Sequence, residues 1–440
     1  MRVAIIGGGL TGMAAADVLA KNGVECTIFE RDAALGGLAG SFDVGGARLE
    51  KFYHHLFTSD TAISGLIEEL GLGNRLEWKP SVTSLYTNGR IFRLSTPMDV
   101  LRFTPLGLFD RIRLGMLAIW PRFIRDWKPL EEITVRDWLI RTAGRRVYDV
   151  VWGPLMRAKF GSYADQVAAV WFWNKLKLRG GSRSKQQSEQ LGYVAGGFWQ
   201  VVERLEERLR ERGVEIRLSA PVEQIPIEEG RALGVVVRGK LLPFDRVLVT
   251  AAPETFAGIA PGLPEEYAQR LTSIEYLANT CLVMDLDRSI GHTYWLNIGD
   301  TDVPFVALIE HTNFRPRSDY GGKHLVYLSR YMAAEDPYYS MTPQELFAAY
   351  LPHLQKIVPG FSADWVKALY AWSERYTQPV ISRRYSDLRP ALRTPVTDLW
   401  LSCMASIYPE DRGMNYAVAY GQRVAREMLS NNDGRACNGM

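Results

Sequence analysis

Apolar and polar residues at the start of the chain follow the order of a strand, a helix and a second strand. Residues 3–6 form a short apolar run, which is typical of a buried strand. A glycine-rich turn at 7–12 then opens an alanine-rich segment of helical composition that ends near residue 22. A second apolar run at 24–29 predicts the next strand.

Similar patterns predict more strands and helices along the rest of the chain. The predicted strands lie at 214–218, 233–238, 246–250, 280–286, 324–331 and 398–403. The predicted helices lie at 58–70, 134–140, 148–160, 201–212, 343–358 and 416–429. Strands that alternate with helices indicate an α/β fold.

The first turn has the G-x-G-x-x-G spacing of a dinucleotide-binding loop, in the required position between a strand and a helix. Gly7 permits the tight turn, Gly9 lets the backbone approach a pyrophosphate, and Gly12 allows helix and strand to pack closely. The free N–H groups at the helix start, including those of Leu10 and Thr11, would bind the anion. A plain strand-turn-helix could carry the same glycines by chance.

An acidic residue stands where such a loop needs one. Glu30 ends the second apolar run, at the distance expected for a carboxylate that hydrogen-bonds the adenosine ribose and disfavours a 2′-phosphate. We predict the adjacent Arg31 to be a cofactor contact as well. Gly36 and Gly37 follow six residues later and form a second place where backbone can come close to a ligand. Leu38 comes directly after this pair.

Taken together, residues 7–12, Glu30, the pair Gly36-Gly37 and Ser41 resemble the flavin amine oxidase, protoporphyrinogen oxidase and phytoene desaturase superfamily. The resemblance implies FAD as the cofactor, with the second glycine pair supporting it. Those relatives usually carry an arginine just after the pair, where this chain has Leu38. Residues 220–225 resemble the element in which a valine backbone binds the adenine edge, which implies that role for Val222.

Two adjacent histidines lie in the segment 50–60. On a strand, His54 and His55 would point to opposite faces, so at most one would meet a flavin directly. The segment resembles its counterpart in UDP-galactopyranose mutases, and this local resemblance implies that His55 lies against the isoalloxazine. We predict His55 to be the catalytic residue. Each histidine could equally be an ordinary packed residue.

A third cofactor element is predicted near the end of the chain. The strand at 398–403 leads through a turn at Gly413, Met414 and Asn415 into the last helix. In the superfamily that this chain resembles, the corresponding helix start faces the pyrimidine edge of the flavin, where N–H groups meet the charge gained on reduction. We therefore assign these three residues to the flavin.

Candidate substrate residues are cationic or aromatic. Arg157 and Lys159 lie in a run, 154–161, that resembles part of the same flavoproteins, and Tyr408 and Arg412 precede the last turn. Aromatic residues at 171–173 are followed by Lys175, Lys177, Arg179, Arg183 and Lys185. Cations for charge and rings for stacking suit a phosphorylated or nucleotide-linked small molecule. A solvated basic surface is the alternative for this cluster.

The segment 101–120 interleaves apolar residues with arginines. Such a composition suits peripheral contact with a membrane, but we favour a helix packed on the substrate domain. We find no apolar run long enough to span a bilayer and no room for a signal peptide before the first strand, so we expect a cytoplasmic protein.

Composition excludes several other functions. A formal net charge of +3 over 440 residues argues against a protein that binds nucleic acid by electrostatic attraction. The four cysteines are scattered without C-x-x-C spacing, so neither a metal site nor a disulfide framework is expected.

These patterns predict two α/β domains. We expect a Rossmann-like FAD-binding domain from residues 1–83, 191–253 and 391–430. We expect an α+β substrate domain with a mixed sheet and a helical insertion from residues 84–190 and 254–390, followed by a disordered tail at 431–440.

The predicted activity is an FAD-dependent oxidation or reduction, with a hydride passed between the substrate and flavin N5. Two alternatives stay open at this point. One is a redox-neutral sugar-nucleotide mutase, suggested by the segment around His55. The other is a flavin-free binding protein, because GDP-dissociation inhibitors resemble the fold of this superfamily.

Overall fold

Two large sheets organise the chain, one parallel and one mixed, in a computed structural model that describes residues 1–182 and 189–430. The strands are β1 (Arg2–Ile6), β2 (Glu25–Phe29), β3 (Ser41–Asp43), β4 (Arg48–Glu50), β5 (Leu76–Pro80), β6 (Thr83–Thr87), β7 (Arg90–Arg93), β8 (Gln190–Val194), β9 (Glu215–Arg217), β10 (Ile227–Glu228), β11 (Arg231–Ala232), β12 (Gly234–Val237), β13 (Lys240–Pro243), β14 (Arg246–Val249), β15 (Tyr276–Leu286), β16 (Trp295–Ile298), β17 (Ala307–Glu310), β18 (His324–Met332), β19 (Val366–Pro379) and β20 (Leu399–Leu401).

Helices cover the sheets and form most of the section between β7 and β8. They are α1 (Leu10–Lys21), α2 (Thr61–Glu69), α3 (Pro97–Leu101), α4 (Leu108–Met116), α5 (Lys128–Glu131), α6 (Val135–Ala143), α7 (Arg145–Val147), α8 (Gly153–Phe160), α9 (Ala169–Gly181), α10 (Trp199–Glu211), α11 (Pro253–Ile259), α12 (Glu265–Thr272), α13 (Pro343–Ile357), α14 (Tyr385–Leu388) and α15 (Met414–Ser430). A π-helical turn, Tyr148–Trp152, connects α7 to α8, and a 3-10 turn, Trp120–Phe123, follows α4.

The parallel sheet has the strand order of a dinucleotide-binding fold. Its order is β9-β2-β1-β14-β20, with every pair parallel. Counted along the chain, these strands run 3-2-1-4-5, so the order reverses between β1 and β14, where such folds bind their ligand. Residues 3–6 are buried on both faces, which explains their uninterrupted apolar run. The predicted α/β fold with a Rossmann-like sheet is confirmed.

The last helix packs closely against the first. Gly421 of α15 faces α1, and a Cβ added to it would lie 2.3 Å from the carbonyl oxygen of Thr11. Only glycine therefore permits this approach without a backbone shift. The contact brings the start of α15 to the same side of the parallel sheet as the glycine turn, although the two are about 400 residues apart in sequence.

The mixed sheet lies between α13 and the parallel part of the molecule. Its order is β19-β15-β18-β17-β16-β6-β7, and only β16 and β6 are parallel neighbours. Leu346, Tyr350 and Leu354, one helical turn apart on α13, are buried with Leu282 and Val326 of the sheet. The other face of this sheet contributes to a cavity described below, and the predicted mixed sheet is confirmed.

The helical section differs from the sequence prediction in two places. The amphipathic stretch at 101–120 is divided into the end of α3 and all of α4, with Pro105 and Gly107 between them, because proline cannot continue the hydrogen-bond ladder of a helix. The helix α9 was not predicted, because its residues were interpreted only as an aromatic and basic cluster. The predicted tail at 431–440 lies outside the described residues.

In the described ranges, no helix has both the length and the apolar character needed to cross a bilayer. The same residues contain no group of three or more histidine, cysteine or acidic side chains placed to hold a metal ion. The described cysteines, Cys26, Cys281 and Cys403, are buried and unpaired.

The contact between α1 and α15 can be tested by adding one methyl group. We expect Gly421→Ala to lower the free energy of unfolding by about 1–3 kcal/mol, because the helices must move apart to admit the Cβ. Gly65→Ala in α2 is the matched control, since no atom lies within 4 Å of its added Cβ. Guanidinium unfolding should show a loss for Gly421→Ala and an unchanged or slightly raised stability for Gly65→Ala. Equal stability of the two variants would contradict the packing argument.

Candidate active site

The glycine turn between β1 and α1 is closed on one side and open on the other. Gly7 has φ +107°, and a Cβ there would lie 2.4 Å from the Thr250 hydroxyl oxygen. A Cβ on Gly12 would lie 2.1 Å from the carbonyl oxygen of Gly7. A Cβ on Gly9 would meet nothing within 4 Å. Gly7 and Gly12 thus permit the packing of strand and helix, whereas Gly9 leaves the backbone open to a ligand.

The second glycine pair packs against this first turn. The N–H of Gly36 donates to the carbonyl oxygen of Gly8 at 2.9 Å. Gly36 has φ +113°, a conformation that favours glycine. A Cβ on Gly37 would lie 3.4 Å from the Cα of Gly9. Two stretches separated by 27 residues therefore form one continuous backbone surface.

Glu30 lies beside the same turn and is buried. Its Oε2 accepts a hydrogen bond from the N–H of Gly8 at 2.7 Å, and its Oε1 accepts one from the N–H of Asp32 at 2.9 Å. Each carboxylate oxygen can accept more than one hydrogen bond, so acceptor capacity remains for a ligand hydroxyl. The N–H of Ala220 donates to the Glu30 carbonyl at 2.9 Å, which places Val222 near this end of the site.

Arg31 points away from the turn. Its side chain is exposed and forms an ion pair with Glu374 at 3.1 Å. The structure thus gives Arg31 a partner within the protein.

These residues fit a dinucleotide. The N-cap of α1 is Gly9, which has no side chain to cap the helix, so the first-turn N–H groups of Leu10, Thr11 and Gly12 lack a capping acceptor. Unsatisfied N–H groups beside an open glycine and a buried carboxylate form the donor and acceptor set that a pyrophosphate and a ribose require.

A cavity of about 420 Å³ continues from this region toward the mixed sheet. Leu38, both histidines and the start of α15 line it, together with side chains from α8, α9 and the mixed sheet. Gly413, Met414 and Asn415, which the sequence assigns to the flavin, thus share one cavity with His55. The residues of the first glycine turn and Glu30 lie outside its lining.

The side chain of Asn415 caps α2. Its Oδ1 accepts hydrogen bonds from the N–H groups of Ala62 at 2.9 Å and Ile63 at 3.3 Å. Asp60, the residue before α2, does not cap the helix with its side chain, which instead accepts from the N–H of Phe57 at 2.8 Å. Asn415 therefore connects the starts of α2 and α15. Local sequence patterns do not indicate this contact, because the two helices are far apart in the chain.

Both histidines line the cavity, since the segment that carries them is not a strand. The ring Nδ1 of His54 is hydrogen-bonded to the carbonyl oxygen of Phe52 at 2.6 Å, and the His55 ring packs edge-on against Trp295 at 5.5 Å. The argument from opposite strand faces therefore does not apply here.

Burial keeps both rings neutral at pH 7. It lowers the pKa of His54 to about 4 and, with help from Arg179 and Lys175, the pKa of His55 to about 3. A neutral ring cannot serve as a cationic acid, so His55 can contribute packing or a hydrogen bond at the cavity wall.

Cations outnumber carboxylates around the cavity. Lys159, Lys175, Arg179 and Arg412 line it, against Asp60 and Asp411. Three of these cations have partners. Lys175 forms an ion pair with Asp411, Arg179 lies 3.8 Å from Glu189, and Arg412 donates to the Tyr331 hydroxyl at 2.6 Å.

Asp411 holds part of this arrangement together. Its Oδ1 accepts hydrogen bonds from Trp171 Nε1 at 2.9 Å and Gln378 Nε2 at 3.1 Å. Although burial opposes ionisation, the surrounding cations, led by Lys175, hold the pKa of Asp411 well below its usual range. Asp411 is therefore a permanent negative charge that neutralises one cation.

Lys159 is the fourth of these cavity cations. Among the described residues, its ammonium has neither an ion pair nor a hydrogen bond, and it lies over the rings of Trp171 at 4.7 Å and Tyr331 at 5.2 Å. Burial, and then the charge of Lys175, lowers the pKa of Lys159 well below its ordinary value. Asp411 acts on Lys159 from beyond ion-pair distance and is itself paired with Lys175. A partly buried cation without a direct ion pair is costly, unless a ligand supplies a closer negative charge.

Arg412, Lys175 and Arg179, which were also predicted to meet the substrate, line the cavity, whereas Arg157 and Tyr408 lie elsewhere. Arg157 is exposed, because residues two apart on α8 point about 200° apart and Lys159 takes the inward position. Tyr408 is buried against the rings of Trp127 and Tyr385 and does not line the cavity. Arg183 and Lys185 lie outside the described residues.

Sequence reasoning identified the aromatic residues Trp171 and Phe172 of the cavity wall but missed Asp411, Tyr331 and Trp295. A signal existed for one face of α9, because Trp171, Lys175 and Arg179 recur at intervals of four residues, which places them on the same side of a helix. Asp411 and Tyr331 carry no such signal, since only the fold brings them to the cavity.

Known proteins resemble this chain in sequence over part of their length. It is 26% identical over 305 residues to a 4,4'-diapophytoene desaturase (4,4'-diaponeurosporene-forming) from Staphylococcus aureus (strain bovine RF122 / ET3-1), in a match that covers 61% of this chain and 58% of the relative. The match therefore spans less than two thirds of that protein.

Solved structures share the fold over nearly the whole chain. A structure from Exiguobacterium sp. 255-15 assigned as a protoporphyrinogen oxidase has a TM-score of 0.77 at 19% identity and covers 97% of this chain and 98% of its own. Reduced UDP-galactopyranose mutase has a TM-score of 0.76 at 13% identity, covering 98% and 95%. Cyclohexylamine oxidase from Brevibacterium oxydans IH-35A has a TM-score of 0.71 at 19% identity, covering 98% and 99%. At these identities the likeness shows the fold alone.

The family match covers the functional site as well as the fold. Residues 10–429 match the family described as flavin containing amine oxidoreductase, a range that includes the end of the first glycine turn, the histidine segment and nearly all of α15. The predicted superfamily and the predicted FAD cofactor are both confirmed. The chain belongs to the flavin containing amine oxidoreductase family.

Proposed function

We propose that this oxidoreductase passes a hydride between an anionic small molecule and flavin N5. The observation that carries the anionic substrate is Lys159, a cavity cation without an ion pair or a hydrogen bond among the described residues. The mutase and binding-protein alternatives are not pursued, because the matched family consists of flavin containing oxidoreductases and the mutase likeness is one of fold.

Two helix starts would hold the cofactor. The first-turn N–H groups of α1 would bind the pyrophosphate, with Glu30 on the ribose and the Val222 backbone at the adenine. The start of α15, from Gly413 to Asn415, would face the pyrimidine edge of the flavin. When bound, FAD supplies the two-electron chemistry, while the protein supplies orientation, charge and a site that excludes water.

Charge in the cavity selects against a protonated amine. At a separation of about 4 Å and an effective dielectric of about 20, one protonated lysine changes the energy of a unit charge by about 4 kcal/mol. A carboxylate or phosphate beside Lys159 gains an attraction of this size, and an ammonium group meets an equal repulsion. Lys175 and Arg412, which line the same cavity, add to this preference.

Binding of an anion would also favour the charged form of Lys159. Because burial lowers the pKa of this lysine in the free protein, a neighbouring negative charge that stabilises the ammonium raises that pKa again. Anion binding is therefore coupled to proton uptake.

The preference for anions can be tested with three ligands that share one ring. We expect benzoate to perturb the flavin absorbance of the anaerobic protein at lower concentration than benzyl alcohol or benzylamine. Lys159→Met should weaken benzoate binding about ten- to a hundredfold, equivalent to about 1.5–3 kcal/mol for a lost charged hydrogen bond. Arg157→Met, two residues away on the outer side of α8, is the matched control and should bind benzoate like the wild type. Preferential binding of benzylamine would refute the proposal.

The same ligand provides a pH test. Affinity for benzoate should fall as pH rises, because the protonated lysine is the binding form, and the fall should begin below the range of an ordinary lysine since the pKa is lowered. Titration calorimetry in two buffers of different ionisation enthalpy should show net proton uptake at pH 8. Lys159→Met should show neither effect. A benzoate affinity independent of pH from 7 to 10 in the wild type would contradict this role.

The assignment of Glu30 is tested by FAD affinity. We expect Glu30→Gln to lower the affinity for FAD about ten- to a hundredfold, since the charge-assisted hydrogen bond to the ribose contributes about 1.5–3 kcal/mol. Glu215→Gln on the neighbouring strand β9 is the control, because this carboxylate hydrogen-bonds Thr27 and Arg217 away from the glycine turn. FAD added back to the apoprotein, followed by fluorescence quenching, gives both constants. Identical constants for the two variants would remove Glu30 from the cofactor site.

A further inference from the structure

We propose that the outer surface formed by α3, α4 and the 3-10 turn after α4 docks onto an anionic lipid bilayer. Thirteen large apolar side chains of the described chain are exposed, and nine of them lie between residues 98 and 123. These nine are Met98, Leu101, Leu108, Phe109, Ile112, Met116, Ile119, Trp120 and Phe123. Single exposed apolar residues are normal on a soluble protein, but a contiguous concentration marks an interaction surface.

The exposed residues of α4 lie on one face of the helix. Leu108, Phe109, Ile112 and Met116 fall within about 100° of its circumference, given 3.6 residues per turn. Leu114, on the opposite face, is buried in the core. Phe109 is 82% exposed and Phe123 is 73% exposed. The helix is thus anchored to the protein by one face and presents an apolar face outward.

The charge around this surface is complementary to anionic headgroups. Residues 98–125 contain five arginines and two aspartates. Both aspartates have partners in the protein. Asp99 accepts from the N–H of Thr96 in a capping box, and Asp110 lies 3.8 Å from Arg113. Basic residues interleaved with exposed phenylalanine and tryptophan are the composition of a surface that lies in the headgroup region.

A second copy of the chain fits this surface less well. Two copies related by a two-fold axis would place the same patch against itself, so that two surfaces of positive net charge would meet. The charge of the patch requires a negatively charged partner, and an anionic bilayer supplies that charge together with an apolar interior for the exposed rings.

The surface is also firmly held. The Pro121 carbonyl oxygen accepts a hydrogen bond from Trp173 Nε1 at 2.9 Å, and Arg122 donates to the carbonyl oxygen of Gly180. Both partners belong to α9, whose other face lines the cavity through Trp171 and Lys175. A bilayer at this surface would thus be separated from the cavity wall by one helix.

Vesicle flotation of the purified FAD-bound protein tests the proposal. We expect the wild type to float with vesicles of phosphatidylcholine and phosphatidylglycerol at 7:3, and to float much less with phosphatidylcholine alone or in 0.5 M salt, because salt screens the arginines. The double substitution Phe109→Asp with Phe123→Asp should reduce the bound fraction at least tenfold. Leu241→Asp, at an exposed position on β13, is the matched control and should float like the wild type.

Flavin absorbance and circular dichroism should be unchanged in all three proteins, since the substituted side chains are exposed. Failure of the wild type to float with the anionic vesicles would overturn the proposal, as would an equal loss in Leu241→Asp. Sedimentation of the protein without lipid tests the remaining alternative, in which the surface is a contact between two copies of the chain. A wild-type dimer that the double substitution converts to a monomer would identify the surface as a contact between copies and would also overturn the membrane proposal.

Discussion

The close approach of α15 to α1 is the contact on which the site depends. It requires the absence of a side chain at Gly421, and it places a helix start from the end of the chain beside the glycine turn from its beginning. Each helix start offers N–H groups that its own helix cannot satisfy, and such groups attract negative charge. A cofactor with a pyrophosphate at its centre and, at one end, a ring that gains negative charge on reduction matches two donor sites held at a fixed separation.

The charge in the cavity comes from ionised side chains, whereas the charge at the helix starts comes from backbone N–H groups. The buried carboxylate of Asp411 is hydrogen-bonded by two side chains and paired with Lys175, so its cost of burial is offset within the protein. Lys159 has neither an ion pair nor a hydrogen bond among the described residues, and the aromatic rings beneath its ammonium stabilise a cation less than a paired carboxylate does. The cavity therefore contains the ion pair of Lys175 with Asp411 and, in the same lining, Lys159 without such a pair. A negatively charged ligand would interact most strongly with Lys159.

The sequence predicted the elements whose signals are local. The Gly7 turn, Glu30 and the strands of the parallel sheet depend on spacing and apolar periodicity, both of which can be read within some 30 residues. Contacts between residues that are far apart in the sequence were not predicted. Neither the capping of α2 by Asn415 nor the position of Tyr331 at the cavity has a local signal, because each arises where two separate parts of the fold meet. Arg157 and Lys159 were indistinguishable in sequence for a related reason, since periodicity gives their relative direction and the fold decides which one points inward.

The π-helical turn before α8 bears on that last distinction. Its hydrogen bonds run from residue i to i+5, so the turn contains one residue more than an α-helical turn. One residue corresponds to about 100° of rotation about a helix axis. The π-helical turn therefore rotates the side chains of α8 about the helix axis, relative to their directions in an uninterrupted α-helix. A relative that lost this single extra residue would present a different edge of the helix to the cavity, and the electrostatic character of the cavity could change without any substitution in its lining.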